Sequence, residues 1–129
     1  MEVKFNDATA NRPEGDRPVD APLVMINIPD VIKQIKKEKA WEKNDRNAIT
    51  IFKSDKMSII LVALHKKAEM TTERPENIFS LQPLAGRLKL HSDNKTIDVR
   101  EEERFVLHAN IPYKIEAVKK SIFLLTLVE

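Results

Sequence analysis

The segment 68-AEMTTERPENIFSLQPLAGRLKL-90 decides the fold. Within and just beyond it, NIFSLQPL (77–84) and GRLKLH (86–91) form two short apolar runs separated at Gly86. Arg87-Leu88-Lys89-Leu90-His91 alternates strictly, as in a strand with one buried and one solvated face. Pro83 falls inside the first run, where its missing N–H would interrupt a central ladder. An edge, a bulge or an element boundary is therefore expected there.

The same rhythm continues outward. AITIFK (48–53) and MSIILVALHK (57–66) precede the segment, separated by the turn-like Ser54-Asp55-Lys56. KTIDV (95–99), RFVLH (104–108), YKIEAV (113–118) and SIFLLTLV (121–128) follow. Ser92-Asp93-Asn94, Glu101 to Glu103, Ala109-Asn110 and Lys119-Lys120 read as the turns between them. Upstream, LVMINI (23–28) is too short to classify. In IPDVIKQIKKEKAWEK, Pro29 and Asp30 suit a first helical turn, and Val31, Ile32 and Ile35 make an apolar stripe. The spacing predicts one helix of about ten residues and then a charged segment to Arg46. Eight short strands behind one helix predict an all-β sandwich or barrel. Residues 1–22, with three of the seven prolines, read as a flexible N-terminal arm, and residues 23–129 as one β-barrel domain carrying the helix.

Composition narrows the function. The 129 residues suffice for one hydrophobic core. No apolar run reaches the roughly 18 residues that span a bilayer, and the N-terminus lacks the apolar stretch of a signal peptide. A cytoplasmic protein without a membrane partner is the expectation. The absence of cysteine removes thiolate nucleophiles, disulfides and zinc ribbons. A formal charge of +2, with five Phe, one Trp and one Tyr, supplies neither the field nor the stacking platform for nucleic acid. Glycines only at 15 and 86 exclude phosphate-loop and dinucleotide-binding motifs. No serine lies in a G-x-S-x-G context or pairs visibly with a histidine. Glu101 to Glu103 lacks the spaced oxygens of a calcium loop and reads as a solvated turn. The basic run from Lys33 to Arg46 reads as a wet helix face, and Trp41 as a cap on the barrel or a dimer contact.

Taken together, LVALHKKAEM (61–70), PLAGRLKL (83–90), EEERFVLHANIPYKIEA (101–117) and SIFLLTL (121–127) resemble a cupin barrel over residues 25 to 128. The resemblance implies a double-stranded β-helix of the jelly-roll type, commonly dimeric, with the short N-terminal α-helix outside it. In that family a first motif places two histidines and a carboxylate or glutamine at set distances before the glycine. Here those places fall on Glu73, Pro75 and Phe79. In the second motif Asn110 replaces a glycine, Pro112 precedes the ligand, and Tyr113 stands where a histidine is usual. Pro75 and Phe79 have no side-chain donor, and a phenol with a pKa of about 10 is a rare ligand. A mononuclear metal needs about three or four converging donors.

The expectation is therefore a metal-free, non-catalytic cupin-like homodimer with no cofactor. It would bind a small polar or anionic molecule or serve as an interaction module. Phe79 and Tyr113 would line the pocket, and Glu73 and Gln82 would be its polar anchors. In a regular strand Gln82 faces away from Phe79, and a bulge at Pro83 would turn it inward. Two alternatives stay open. One is a metal-dependent oxygenase or isomerase with ligands among His65, Glu73, Gln82, His108 and Tyr113. The other is a metal-free enzyme with Tyr113 and Glu73 as acid and base. His65, His91 and His108 each end a different strand, and the bland reading for each is solvation or a backbone hydrogen bond.

Overall fold

The computed structural model describes residues 4–6, 17–72 and 75–129. Its elements run β1 (Lys4–Asn6), β2 (Arg17–Asp20), α1 (Ile28–Lys37), α2 (Lys39–Lys43), β3 (Arg46–Lys53), β4 (Met57–Leu64) and β5 (Glu69–Thr71). They continue with β6 (Ile78–Ala85), β7 (Arg87–Ser92), β8 (Lys95–Arg100), β9 (Phe105–Leu107), β10 (Lys114–Ala117) and β11 (Ser121–Val128). All eight expected strands are present as β3, β4 and β6 to β11, and the all-β jelly-roll architecture is the one observed.

The strands form a five-stranded sheet, β3-β4-β11-β6-β9, facing a four-stranded sheet, β5-β10-β7-β8. Every neighbouring pair is antiparallel. After β4 the chain passes from sheet to sheet, with only the β7–β8 hairpin keeping two successive strands together. Between the sheets lies the main core, which includes Val62, Leu64, Met70, Phe79, Leu81, Leu88, Leu90, Tyr113, Ile115, Phe123 and Leu125. Each of these positions has the inward parity of its strand, and each large side chain contributes about 1.5–3 kcal/mol by leaving water.

A second cluster explains why β4 and β11 are apolar on both faces. Leu61 and Ala63 of β4 and Ile122 of β11 point outward, against Ile35 of α1 and Trp41 of α2. The Asn27 side chain accepts the Asp30 N–H at 3.1 Å and starts α1 as an N-cap. The helix stops at Glu38, whose ψ of 145° is extended, and α2 resumes for a single short turn. That turn, within the segment expected to be charged, seats Trp41 on the sheet. Buried Asn47 of β3 fastens the junction: its Nδ2 donates to the Ile35 carbonyl at 3.1 Å and to Glu38 Oε1 at 2.9 Å. One carbonyl that the helix C-terminus leaves without a partner is thereby satisfied.

Part of the segment read as an arm is strand. β1 pairs antiparallel with β2, and Val19 and Asp20 are buried. No helix among the described residues is long and apolar enough to cross a membrane.

Two local devices place the site. Pro83 sits beside a bulge: Phe123 of β11 faces Pro83 while Ile122 faces Ala85, so Leu84 is the extra residue. Gly86 then takes a φ of +93° where the chain crosses between sheets, and a Cβ there would collide with Ser121 and the Lys120 carbonyl. In the β7–β8 turn both Asp93 and Asn94 have positive φ, as a two-residue hairpin loop requires.

Candidate functional site

Phe79 and Tyr113, expected to line a pocket, are brought together in the main core. Phe79 is the second residue of β6 and Tyr113 directly precedes β10. Their ring centroids are 4.2 Å apart with planes tilted by 36°, and Phe105 stacks with Phe79 at 5.6 Å. Only 2% of Phe79 and 8% of Tyr113 is exposed. Thr72 ties Tyr113 to the end of β5. Its Oγ1 accepts the Tyr113 N–H at 2.7 Å, and its own N–H donates to the Tyr113 carbonyl at 3.1 Å. The Asn110 N–H donates to the Pro75 carbonyl. Asn110 has a φ of 66°, the left-handed conformation expected of the glycine it replaces.

The other two candidates do not join this pair. Glu73 lies outside the described residues. Gln82 has the opposite parity to Phe79 and Leu81, and its Oε1 accepts a hydrogen bond from Arg104 Nη2 at 2.6 Å. The bulge falls at Leu84, after Pro83, and so leaves the phase of residues 79 to 83 unchanged.

The histidines have separate occupations. His65 stacks on Trp41 at 3.5 Å and 12°, with Nε2 at 2.8 Å from the Trp41 carbonyl. His91 lies on the outward face of β7, between Thr96 at 3.0 Å and Glu116 at 3.1 Å. His108 is exposed beyond β9. Among the described residues no group of three His, Cys, Asp or Glu side chains could hold a metal ion. Around Phe79 and Tyr113 the core side chains are hydrocarbon except for the Met70 thioether and the phenol. Such a donor set does not fit a mononuclear Fe, Mn, Ni or Zn centre, and no chemistry is derived through one.

Beside the aromatic pair the barrel is open. Ile97 of β8 and Leu90 of β7 are register partners, with Leu88 and Val99 paired two positions on. Ile97 therefore has the inward parity of Leu90 and Val99. Leu90 and Val99 are buried, yet half of Ile97 is exposed. The cause is strand length: β8 ends its sheet, and β9, across the gap, has only three residues. The result is a cleft of about 500 Å³ walled by Leu90, Ile97, Leu107, Ile111 and Pro112, with Ser92, Asp93, Lys95 and Asn110 also lining it. Leu107 stands directly opposite Phe79 in the β6–β9 ladder, so the cleft adjoins the aromatic pair. Sequence reasoning missed Ile97. Its signal was the alternation of KTIDV, which gives Ile97 the parity of Val99 but says nothing about what covers it.

The sequence matches no family model and no curated protein. The fold has solved counterparts. A cupin superfamily protein from Desulfitobacterium hafniense is similar at a TM-score of 0.64 and 15% identity, with 97% of each chain covered. A cupin-2 domain protein from Shewanella frigidimarina gives 0.65 at 13% identity, covering 81% of this chain and 95% of that one. The cupin domain of an XRE-family transcriptional regulator from Enterobacter cloacae gives 0.61 at 13% identity, covering 67% of this chain and 98% of that one. At such identities the likeness establishes the fold alone: this chain folds as a cupin-type jelly-roll barrel.

Proposed function

We propose that the chain is a metal-free, non-catalytic cupin-fold binding module. In this reading it takes a small molecule with an apolar body and a polar or anionic head in the cleft beside Phe79 and Tyr113. The observation that carries the reading is Ile97, an inward-facing aliphatic side chain left half exposed at the barrel mouth. An apolar ligand face covering it would recover part of the burial its neighbours already have. Lys95 and Asn110, which also line the cleft, would hold the head group. Glu73 remains a candidate anchor by its place next to Thr72, which is bonded to Tyr113. Gln82, engaged with Arg104, is not assigned to the cleft. A cytoplasmic homodimer completes the reading. Exposed Val106 of β9 and exposed Ile78 of β6 share the outward face of their sheet, and a second copy would cover them.

The test is a thermal-shift screen of small amphipathic carboxylates and alcohols on the wild type and on Ile97→Asp, with native mass spectrometry alongside. A true ligand raises the melting temperature by mass action and loses that effect in the variant. Hits unaffected by Ile97→Asp would remove the ligand from the cleft. One tightly held metal per chain would overturn the metal-free reading.

A further inference from the structure

The β7–β8 ladder opens with two arginines directly opposite each other, Arg87 and Arg100. Like charges at opposed positions of antiparallel strands repel. Arg87 is answered in part, because its Nη2 donates to Asp98 Oδ2 at 3.1 Å. Its Nε is buried and has no hydrogen-bond partner among the described residues. The side chains of Arg100 and Lys119 form no ion pair with any described residue.

These cations share a bowl. Gly86, Arg87, Arg100, Glu101 and Lys119 line an open concavity of about 360 Å³. Glu101 is held at its edge, accepting the Gly86 N–H on Oε1 at 3.0 Å. Fully buried Ser121 fixes the backbone beneath: its Oγ accepts the Arg87 N–H at 3.0 Å and donates to the Lys119 carbonyl at 2.7 Å. The Val118 N–H donates to the Arg87 carbonyl at 3.0 Å and holds the turn carrying Lys119 against β7. The lining therefore carries three cations and one carboxylate on a hydrogen-bonded scaffold. Arg87 is paired to Asp98, and Arg100 and Lys119 face the single carboxylate of Glu101, so the bowl keeps an excess of positive charge.

The geometry points to a binding site for a phosphate-type dianion, free or as the monoester of a small molecule, held by Arg87, Arg100 and Lys119. A tetrahedral oxyanion offers separate acceptors to two guanidinium forks and an ammonium, whereas a carboxylate has only two oxygens to share among them. Bound over the outward face of the two strands, the dianion turns the opposed Arg87–Arg100 pair from a repulsion into a clamp. This site lies at the far end of the ladder from the cleft, whose lining residues Ser92 and Lys95 form the last register pair. It does not rest on the proposed function.

The experiment is a calorimetric titration of the full chain with inorganic phosphate, chloride replacing phosphate at constant ionic strength. It is run on the wild type, Arg100→Ala, Lys119→Ala and Lys66→Ala, the last removing an exposed charge elsewhere. A saturable isotherm with one site per chain is expected. Arg100→Ala and Lys119→Ala should each weaken it by about tenfold, the loss typical of one charge-assisted hydrogen bond, while Lys66→Ala leaves it unchanged. Because Arg100 and Lys119 are exposed, folding of the variants is expected, and circular dichroism checks it. A second arm uses glycerol phosphate. Tighter binding than inorganic phosphate assigns the site to a monoester, and equal or weaker binding assigns it to free phosphate. No saturable binding at constant ionic strength, or equal binding by Arg100→Ala and the wild type, overturns the proposal.

Discussion

Phe79 and Tyr113 lie ring against tilted ring, 4.2 Å apart, at two of the places where the resemblance to cupins calls for metal ligands. The pair does the work of a core. Phe79→Ala should cost about 3–5 kcal/mol, since the surrounding side chains cannot collapse fully into the space. Phe79→His tests the chemistry more sharply. It puts a metal-ligating side chain at the motif's carboxylate place but buries a ring nitrogen among hydrocarbon, for a cost of about 1–3 kcal/mol. Urea unfolding followed by circular dichroism measures both. Dialysis of Phe79→His against zinc and nickel should leave no metal bound, because a lone imidazole supplies one donor where about three are needed. Stoichiometric metal retained by the variant would refute the account given of the core.

Gly86 is the next constraint. Its φ of +93° strains any L side chain, and a Cβ there meets Ser121 and the Lys120 carbonyl, neither of which is a flexible side-chain end. Gly86→Ala should lose about 1–2 kcal/mol to backbone strain and a further ~1–3 kcal/mol to overpacking. Thermal unfolding reads the loss. A variant as stable as the wild type would mean that the crossing between sheets is looser than the Ser121 hydrogen bonds imply.

The sequence exposed the strands wherever two covered faces or strict alternation left a period. That is how β3, β4 and β6 to β11 were anticipated. It hid the elements whose identity depends on what packs against them. β5 is three residues long with Met70 alone buried, too short for any alternation to register. α2 is a single charged turn whose only buried residue is Trp41. Phe79 and Tyr113 were singled out through the resemblance to cupins, and the structure places both in the core, outside the lining of the cleft. The cleft was not legible, because it arises from the shortness of β9 opposite Ile97 and no local pattern encodes a gap between two sheets.

Acid should weaken one tie between the helical cap and the barrel. Asp45 has its carboxyl pKa lowered, chiefly by the side-chain hydrogen bond from Arg46, which outweighs the opposing effect of burial and is reinforced by that cation's field. Because the folded pKa lies below the unfolded one, the unfolded chain binds more protons between the two values, and stability rises with pH there. The contribution is complete above the ordinary carboxylate range and is lost as pH falls through the folded value. Arg46→Ala should move the Asp45 titration, followed by carboxyl-carbon NMR, upward toward that ordinary range. The stability gap between variant and wild type should then narrow as pH falls below the ordinary carboxylate range. The part due to the Arg46 bond to the Glu69 carbonyl, at 2.6 Å, should persist at every pH.

The last prediction concerns the latch that seats the cap. His65 follows β4 directly and holds the cap in three ways: its ring stacks on Trp41 at 3.5 Å, Nε2 bonds the Trp41 carbonyl, and the His65 N–H donates to the Asp45 carbonyl just beyond α2. A carbonyl only accepts, so Nε2 must carry the proton. Replacement can then separate the two side-chain contributions. His65→Phe keeps a ring over Trp41 and removes the donor, at a cost of about 1 kcal/mol. His65→Gln keeps an N–H but loses the stack, about 0.5–1.5 kcal/mol. In a double-mutant cycle with Trp41→Ala, followed by circular dichroism because Trp41 is the sole tryptophan, His65→Gln should show coupling of about 0.5–1.5 kcal/mol. His65→Phe should show much less, since its stack survives until Trp41 is removed. Equal coupling for both variants would place the latch in the backbone bonds and not in the rings.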